Sequence, residues 1–325
     1  MIKSKLSLII TVIVCLGTSI RLSAQNFLVE NKVNPIGIDV KTPQFSWQLI
    51  SDKRNVVQTA YEIRVSDNLQ DLLKNKNLVW NSGKVLSDSS VHVLYKGREL
   101  QSNTKYYWQV RTWTNKSKSA LWSQPASWKM ALLKTSDWKA EWIGPGFIED
   151  SIMRPSPLFR KEFSVEKKVV SATAYITAHG LYVAMINGQR IGDAYLTPGW
   201  TSYKNRLQYQ AYDVTNLLKN GTNAVGAILG NGWYRGVIGF SNNINVYGKD
   251  IALLLQINIT YSDGSTGFVL SDGSWKSSTG GIRYDEIYNG ETDDARDEKT
   301  GWTLPGYDDA KWSGVTVAGY PKDIL

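Results

Sequence analysis

Cysteine occurs once in 325 residues, at position 15, and histidine twice, at 92 and 179. A single cysteine excludes a disulfide framework and a zinc–thiolate site. His92 and His179 are far apart in sequence, with no second His or Cys at ligand spacing, which excludes a zinc centre. His179, in ITAHGLY, reads as a hydrogen-bonded turn residue. The pattern G-x-S-x-G is missing, so there is no nucleophile elbow. No block of Lys and Arg occurs, so nucleic acid is not expected as a partner. Phenylalanine is scarce, 7 residues against 13 Trp and 17 Tyr. Trp and Tyr combine a flat apolar face with a polar edge, which suits wet contacts such as sugar rings.

Residues 1–25 have the layout of a signal peptide. Lys3 and Lys5 form a basic start, Leu6 to Ile20 is mostly apolar, and Ser23-Ala24 offers a small-residue cleavage site before Gln25. Arg21 and the shortness of the apolar run argue against a retained transmembrane helix, and Val14 disfavours Cys15 as a lipid anchor. The expected location is secreted or periplasmic. Cleavage would remove the only cysteine, and with it any thiol nucleophile. It would leave 34 Lys/Arg against 29 Asp/Glu, a net charge of +5.

Beyond the leader, hydrophobic residues alternate with polar ones in short runs: AYEIRVS at 60–66, YYWQVRTW at 106–113, ATAYITAHGLYVAMING at 172–188 and LLLQINITYSDG at 253–264. Period two with Gly, Asn, Asp and Ser between runs is the signature of half-buried strands. Only 67–75 and 214–220 suggest a helical turn or two. The fold class expected is all-β. Residues 26–131 hold six or seven strands with Trp47 and Trp108, the pattern of a fibronectin-III or Ig-like β-sandwich. Residues 132–146 read as a linker. Residues 147–318, with longer strands and more glycine loops, suit a jelly-roll β-sandwich, and 319–325 as the start of a further segment.

Several ordered stretches resemble the N-terminal modules of bacterial α-L-rhamnosidases of the glycoside hydrolase family 78 type. NPIGIDVKTPQFSW at 34–47, LVWNSGKV at 78–85, YKGRELQSNTKYYWQVRTW at 95–113 and DWKAEWIG at 137–144 resemble the opening module. GLYVAMINGQRIGDAYLTPGWTSYKNRLQYQAYDVTNLL at 180–218, GTNAVGAILGNGWYRG at 221–236 and IYNGETDDARDE at 287–298 resemble the second. The resemblance implies hydrolysis of terminal α-L-rhamnose by a downstream (α/α)6 barrel, where the catalytic carboxyl pair lies. No helical array for that barrel is present here. No catalytic residue is therefore assigned, and the chain alone is expected to be inactive. Two alternatives stay open: an autonomous rhamnose-binding protein, and a surface structural or adhesive module.

For a carbohydrate site the candidates are Trp200 and Trp233 as stacking platforms, with Asn187, Asn231 and Arg235 bonding hydroxyls of a rhamnose-containing glycan. Asn187 and Asn231 are also the candidate ligands for Ca²⁺, since the resemblance implies calcium-assisted rhamnose binding in some such modules; Ile186 stands where an acidic residue would help. The structural alternative is that both tryptophans close the sandwich core, with Arg235 stacked on one of them. The acidic run Glu291, Asp293, Asp294, Asp297 and Glu298 reads chiefly as a solvated or interface loop. The GNGWYRG turn shows no strand-to-helix transition of the kind that cradles phosphate.

Overall fold

The structure is a computed structural model that describes residues 23–117, 120–239 and 242–325. The leader expected at 1–25 lies outside the described residues except for 23–25, which begin the strand Ser23–Val29. The described residues are almost entirely strand and loop, as the period-two pattern requires. The expected turns of helix at 67–75 and 214–220 are an α-helix over Leu69–Lys74 and a 3₁₀ turn over Thr215–Leu217. Among the described residues, no helix is long and apolar enough to cross a membrane.

Contacts divide the chain into two compact units. In the first, which holds Thr42–Arg98 and Tyr106–Ser127, Gln44–Ile50 lies between Ser23–Val29 and Val93–Leu94 in one sheet. A second sheet places Gln58–Ser66 between Trp80–Asn81 and Lys105–Thr114, all antiparallel. Phe45, Trp47, Ile63, Val65, Trp108 and Val110 are buried. Trp47 donates its indole N–H to Gln58 Oε1 at 3.0 Å, so the polar edge of a core ring is satisfied.

The second unit comprises Pro35–Lys41, Glu99–Lys105 and Trp128–Leu325. Its two sheets meet through one strand. Ser313–Ala318 begins opposite Lys276 and Ser277, then continues opposite Trp142–Pro145. One sheet runs through Lys276–Thr279, Pro157–Val165, Gly221–Gly230 and Leu181–Ile186; the other through Ala252–Tyr261 and Val169–His179 to Gln210–Asp213. The core is filled from both, by Phe159, Ala184, Val225, Ala227 and Leu229 against Ala174, Ile176, Leu253, Leu255 and Ile257.

The expected linker at 132–146 is instead part of this core. Trp138, Ala140, Trp142 and Ile143 are buried, and Trp142–Pro145 is a sheet strand. The physical reason is a buried side chain on the central strand. Gln256 Oε1 accepts the backbone N–H groups of Lys139 and Ala140 at 2.7 and 3.1 Å, while its Nε2 donates to the Asp137 carbonyl. Residues 319–325 are likewise packed in, not the start of a separate piece. Tyr320 sits edge-on to Trp142, Lys322 Nζ donates to the Ala140 carbonyl, and the Ile324 carbonyl accepts the Leu207 N–H.

Candidate functional site

The strand Gly221–Gly230 runs straight into a single helical turn, Gly232–Arg235. The absence of any strand-to-helix transition at GNGWYRG is thereby corrected, although four residues are too few to build an anion site. Gly232 has φ +53°, and a Cβ there would lie 2.6 Å from Leu181 Cγ. Both the backbone conformation and the contact require glycine. The turn brings Trp233 to the rim, where its ring lies parallel to that of Trp200, 5° apart in plane with centroids 5.6 Å apart.

Trp200 is 49% exposed, and its indole N–H donates to the Tyr247 hydroxyl at 3.0 Å. The two candidate platforms, Trp200 and Trp233, are thus brought together, but not as opposed walls around one sugar. A ring held between two indoles needs roughly 3.5–4.0 Å on each side, more than this spacing leaves. What the pair offers is a single stacked wall whose outer ring, Trp200, is half exposed. Behind it the aromatics continue inward: Tyr247 to Tyr203 at 4.9 Å, Tyr203 to Tyr234 at 5.3 Å, Tyr234 to His179 at 4.5 Å and His179 to Trp142 at 4.5 Å.

His179 is a strand residue sandwiched between the Trp142 and Tyr234 rings, and its buried Nδ1 has no hydrogen-bond partner among the described residues. It is thus not the hydrogen-bonded turn histidine expected. Burial drives its pKa down to about 4, because a charged imidazolium would be desolvated there.

The polar candidates face inward. Asn231 is fully buried; its backbone N–H and Nδ2 donate to Asp285 Oδ1 and to the Asp285 carbonyl, both at 2.7 Å, and its Oδ1 accepts Arg235 Nε. Arg235 is 2% exposed and clamped by Glu149 through Nη1 and Nη2 at 2.9 and 2.6 Å. Its guanidinium is thus held by a carboxylate rather than stacked on Trp200 or Trp233. Asn187 is buried at the far end of the same strand pair. It donates to the Leu217 carbonyl and to Asn223 Oδ1, and its Oδ1 accepts the Ala224 N–H.

These positions do not fit a shared calcium ion. Leu181 pairs with Gly230 and Ile186 with Val225, so the two asparagines lie just beyond opposite ends of a ladder roughly 17 Å long at 3.3 Å per residue. Both amide oxygens already accept hydrogen bonds, one of them from a guanidinium. Among the described residues, no group of three or more His, Cys, Asp or Glu side chains is placed to hold a metal ion.

Glu149, Asp285, Glu286 and Tyr247 were not singled out in the sequence. Asp285 also accepts the Ser156 hydroxyl at 2.7 Å, and Glu286 Oε2 accepts the Val237 N–H at 2.7 Å. Burial raises the pKa of both carboxyls. Both are held by backbone N–H groups of the segment Asn231–Val237, and so serve to fix that turn. The downstream acidic run is exposed over Gly290–Asp293. Asp294 pairs with Arg296, which holds its carboxyl below the usual range, and Asp297 lies 3.4 Å from Arg283.

Two family descriptions match the chain: the Rha78A-like N-terminal immunoglobulin domain over residues 24–134, and the alpha-L-rhamnosidase N-terminal domain over 167–325. An alpha-L-rhamnosidase of Alteromonas sp. (strain LOR) is 39% identical over 307 residues, 91% of this chain and 33% of its own. One from Formosa agariphila is 36% identical over 314 residues, 94% of this chain and 34% of its own. The solved alpha-L-rhamnosidase of Dictyoglumus thermophilum superposes with a TM-score of 0.83 at 37% identity, covering 91% of this chain and 34% of that one. That of Streptomyces avermitilis, complexed with L-rhamnose, gives 0.85 at 26% identity over 92% and 45%. The chain spans about a third of the length of the curated relatives it matches.

Proposed function

Since the chain belongs to the α-L-rhamnosidase family as its N-terminal β modules, we propose that it serves such an enzyme by presenting a rhamnosyl-binding wall at Trp200 and Trp233. In this reading a catalytic region downstream removes terminal α-L-rhamnose from a glycan or glycoside, and the protein is exported. The observation that carries it is the parallel indole pair at the rim, with Trp200 half exposed and its edge tied to Tyr247. A 6-deoxy sugar suits such a wall, because its methyl group adds apolar contact to the ring face. Asn231 and Arg235 act as the frame of the turn that carries Trp233 rather than as ligands of the sugar, and Asn187 braces the other end of the strand pair. Calcium has no part in it.

The test is calorimetric titration of the chain with L-rhamnose and with a rhamnose-rich polysaccharide, with and without millimolar Ca²⁺, beside turnover of an aryl α-L-rhamnoside. Binding without turnover, unaffected by Ca²⁺ and weakened at least tenfold by Trp200→Ala, is the expected result. Binding that survives Trp200→Ala unchanged, or no binding at all, would overturn the wall.

A further inference from the structure

One sheet face of the first module carries a column in which cations and rings alternate. Arg111 and Trp113 are two residues apart on Lys105–Thr114 and so share a face. Arg64 comes from Gln58–Ser66, and Trp122 from the segment after Lys105–Thr114. Lys84 Nζ lies 4.5 Å from the centre of the Trp113 ring, and Arg111 Cζ lies 5.1 Å from the same ring. Arg111 is also 4.7 Å from the Trp122 ring, over which Arg64 sits at 4.1 Å. The order is Lys84, Trp113, Arg111, Trp122, Arg64.

The column is fixed at its inner end and open at its outer end. Arg64 is 6% exposed and gives Nε and Nη2 to Gln109 Oε1 at 3.1 and 2.7 Å. Arg111 gives the same two nitrogens to Glu62 Oε2 at 2.9 and 2.6 Å. Lys84 is exposed. Three cations therefore stand against one carboxylate. The imbalance extends to the module, since residues 26–131 hold fifteen Lys/Arg and eight Asp/Glu, net +7, whereas 132–325 hold nineteen and twenty-one, net −2.

We propose that this column is a binding site for an anionic glycan chain, one carrying sulfate or carboxylate groups. Charge complementarity selects the class. The cations are held in line by the rings, so little side-chain freedom is lost on binding, and guanidinium matches the geometry of oxyanions. The ring faces are already covered by cations. Stacking of a neutral sugar or of an unpaired base, which needs a bare face, is therefore not what the column offers. None of its residues belongs to the tryptophan wall of the second module, so either proposal can fail without the other.

The test is calorimetric titration of the whole chain with dextran sulfate and with polygalacturonate, beside uncharged dextran and single-stranded poly(dT). The expected result is binding of one or both acidic polymers, the arm that responds identifying the acid group. It should weaken at least tenfold between 50 and 200 mM salt, in keeping with release of counterions from a polyanion. Lys84→Glu should weaken it at least tenfold. Lys74→Glu, which changes the same charge on the exposed end of the helix Leu69–Lys74, should change it less than twofold. Trp113→Phe, which keeps a ring in the column, should retain most of the binding. Equal losses for the two lysine variants would reduce the effect to diffuse charge and overturn the site, as would poly(dT) binding as tightly as the acidic polymers, or no polymer binding.

Discussion

In the first module two tryptophans are stacked on cations; in the second two are stacked on each other. Trp113 and Trp122 are interleaved with Lys84, Arg111 and Arg64, whereas Trp200 and Trp233 share a parallel face with no cation between them. The difference decides what each surface can recognise. A ring covered by guanidinium contributes position and leaves charge to make the contact, whereas an open ring contributes an apolar plane. The aromatics behind the Trp200 wall carry the contrast further. They lead to a histidine that burial keeps neutral, so one module builds positive charge into its stack and the other excludes it.

The largest test of this contrast is acid. The folded-state pKa of His179 is about 4 against an ordinary 6.5. Between those values the unfolded chain binds the proton and the folded chain does not, so stability rises with pH across the window and is lost on acidification. A difference of two to three pH units corresponds to about 3 kcal/mol. Urea midpoints followed from pH 7 to pH 4 should show a loss of this size, which His179→Phe removes. Asp285 and Glu286, with raised values, contribute the opposite slope, stability lost as pH rises above the usual carboxylate range, and do so equally in both proteins. An acid limb that persists unchanged in His179→Phe would assign the loss to other groups, such as the lysine- and arginine-paired carboxylates of Asp272 and Asp309, and not to His179.

Next comes Trp122→Ala. It removes the ring between Arg64 and Arg111, leaving two guanidinium groups to face each other with their cation–π contacts gone. A cost of about 2 kcal/mol is expected in urea unfolding, at the upper end for partly desolvated pairs. A loss well below 1 kcal/mol would mean that the column is loose and its order incidental.

Much of this was legible in the sequence, and the reasons for the rest are physical. Alternating runs gave the strands, and the GNGWYRG turn with Trp200 and Trp233 gave the rim, because periodicity and turn chemistry are local. The misreadings share a cause. Residues 132–146 look like a linker until Gln256, more than a hundred residues later, takes their N–H groups. Asn231 and Arg235 look like sugar ligands until Asp285 and Glu149 arrive from other parts of the chain. Long-range hydrogen bonds of buried polar groups leave no periodic trace. The nearest local signal is the pair of acids in RYDEIYNG, which lies beside a denser acidic run. The cation column was visible only as residue types; its order comes from strand pairing, with Glu62 opposite Arg111 and Arg64 opposite Gln109.

A smaller effect separates wall from core. Trp200 is half exposed, so Trp200→Ala should cost only about 1 kcal/mol, the ring pair itself accounting for most of it, while Trp233→Ala, whose ring is more buried, should cost more. Comparable large losses for both would place Trp200 in the core and leave no free face for a sugar.

The smallest expected effect is the most discriminating for the column. Lys84→Gln removes a charge at the exposed end, where Trp113 is its partner. A surface substitution of this kind should alter stability by no more than about 0.5 kcal/mol, yet it removes the cation that an acidic chain would meet first. If the urea midpoint is unchanged while affinity for the acidic polymer falls, the outer end of the column acts in binding and the inner end, anchored by Gln109 and Glu62, acts in support. If stability falls as far as it does in Trp122→Ala, the column is one cooperative structural unit from end to end. Its alternation of charge and ring would then hold the sheet face together rather than present it.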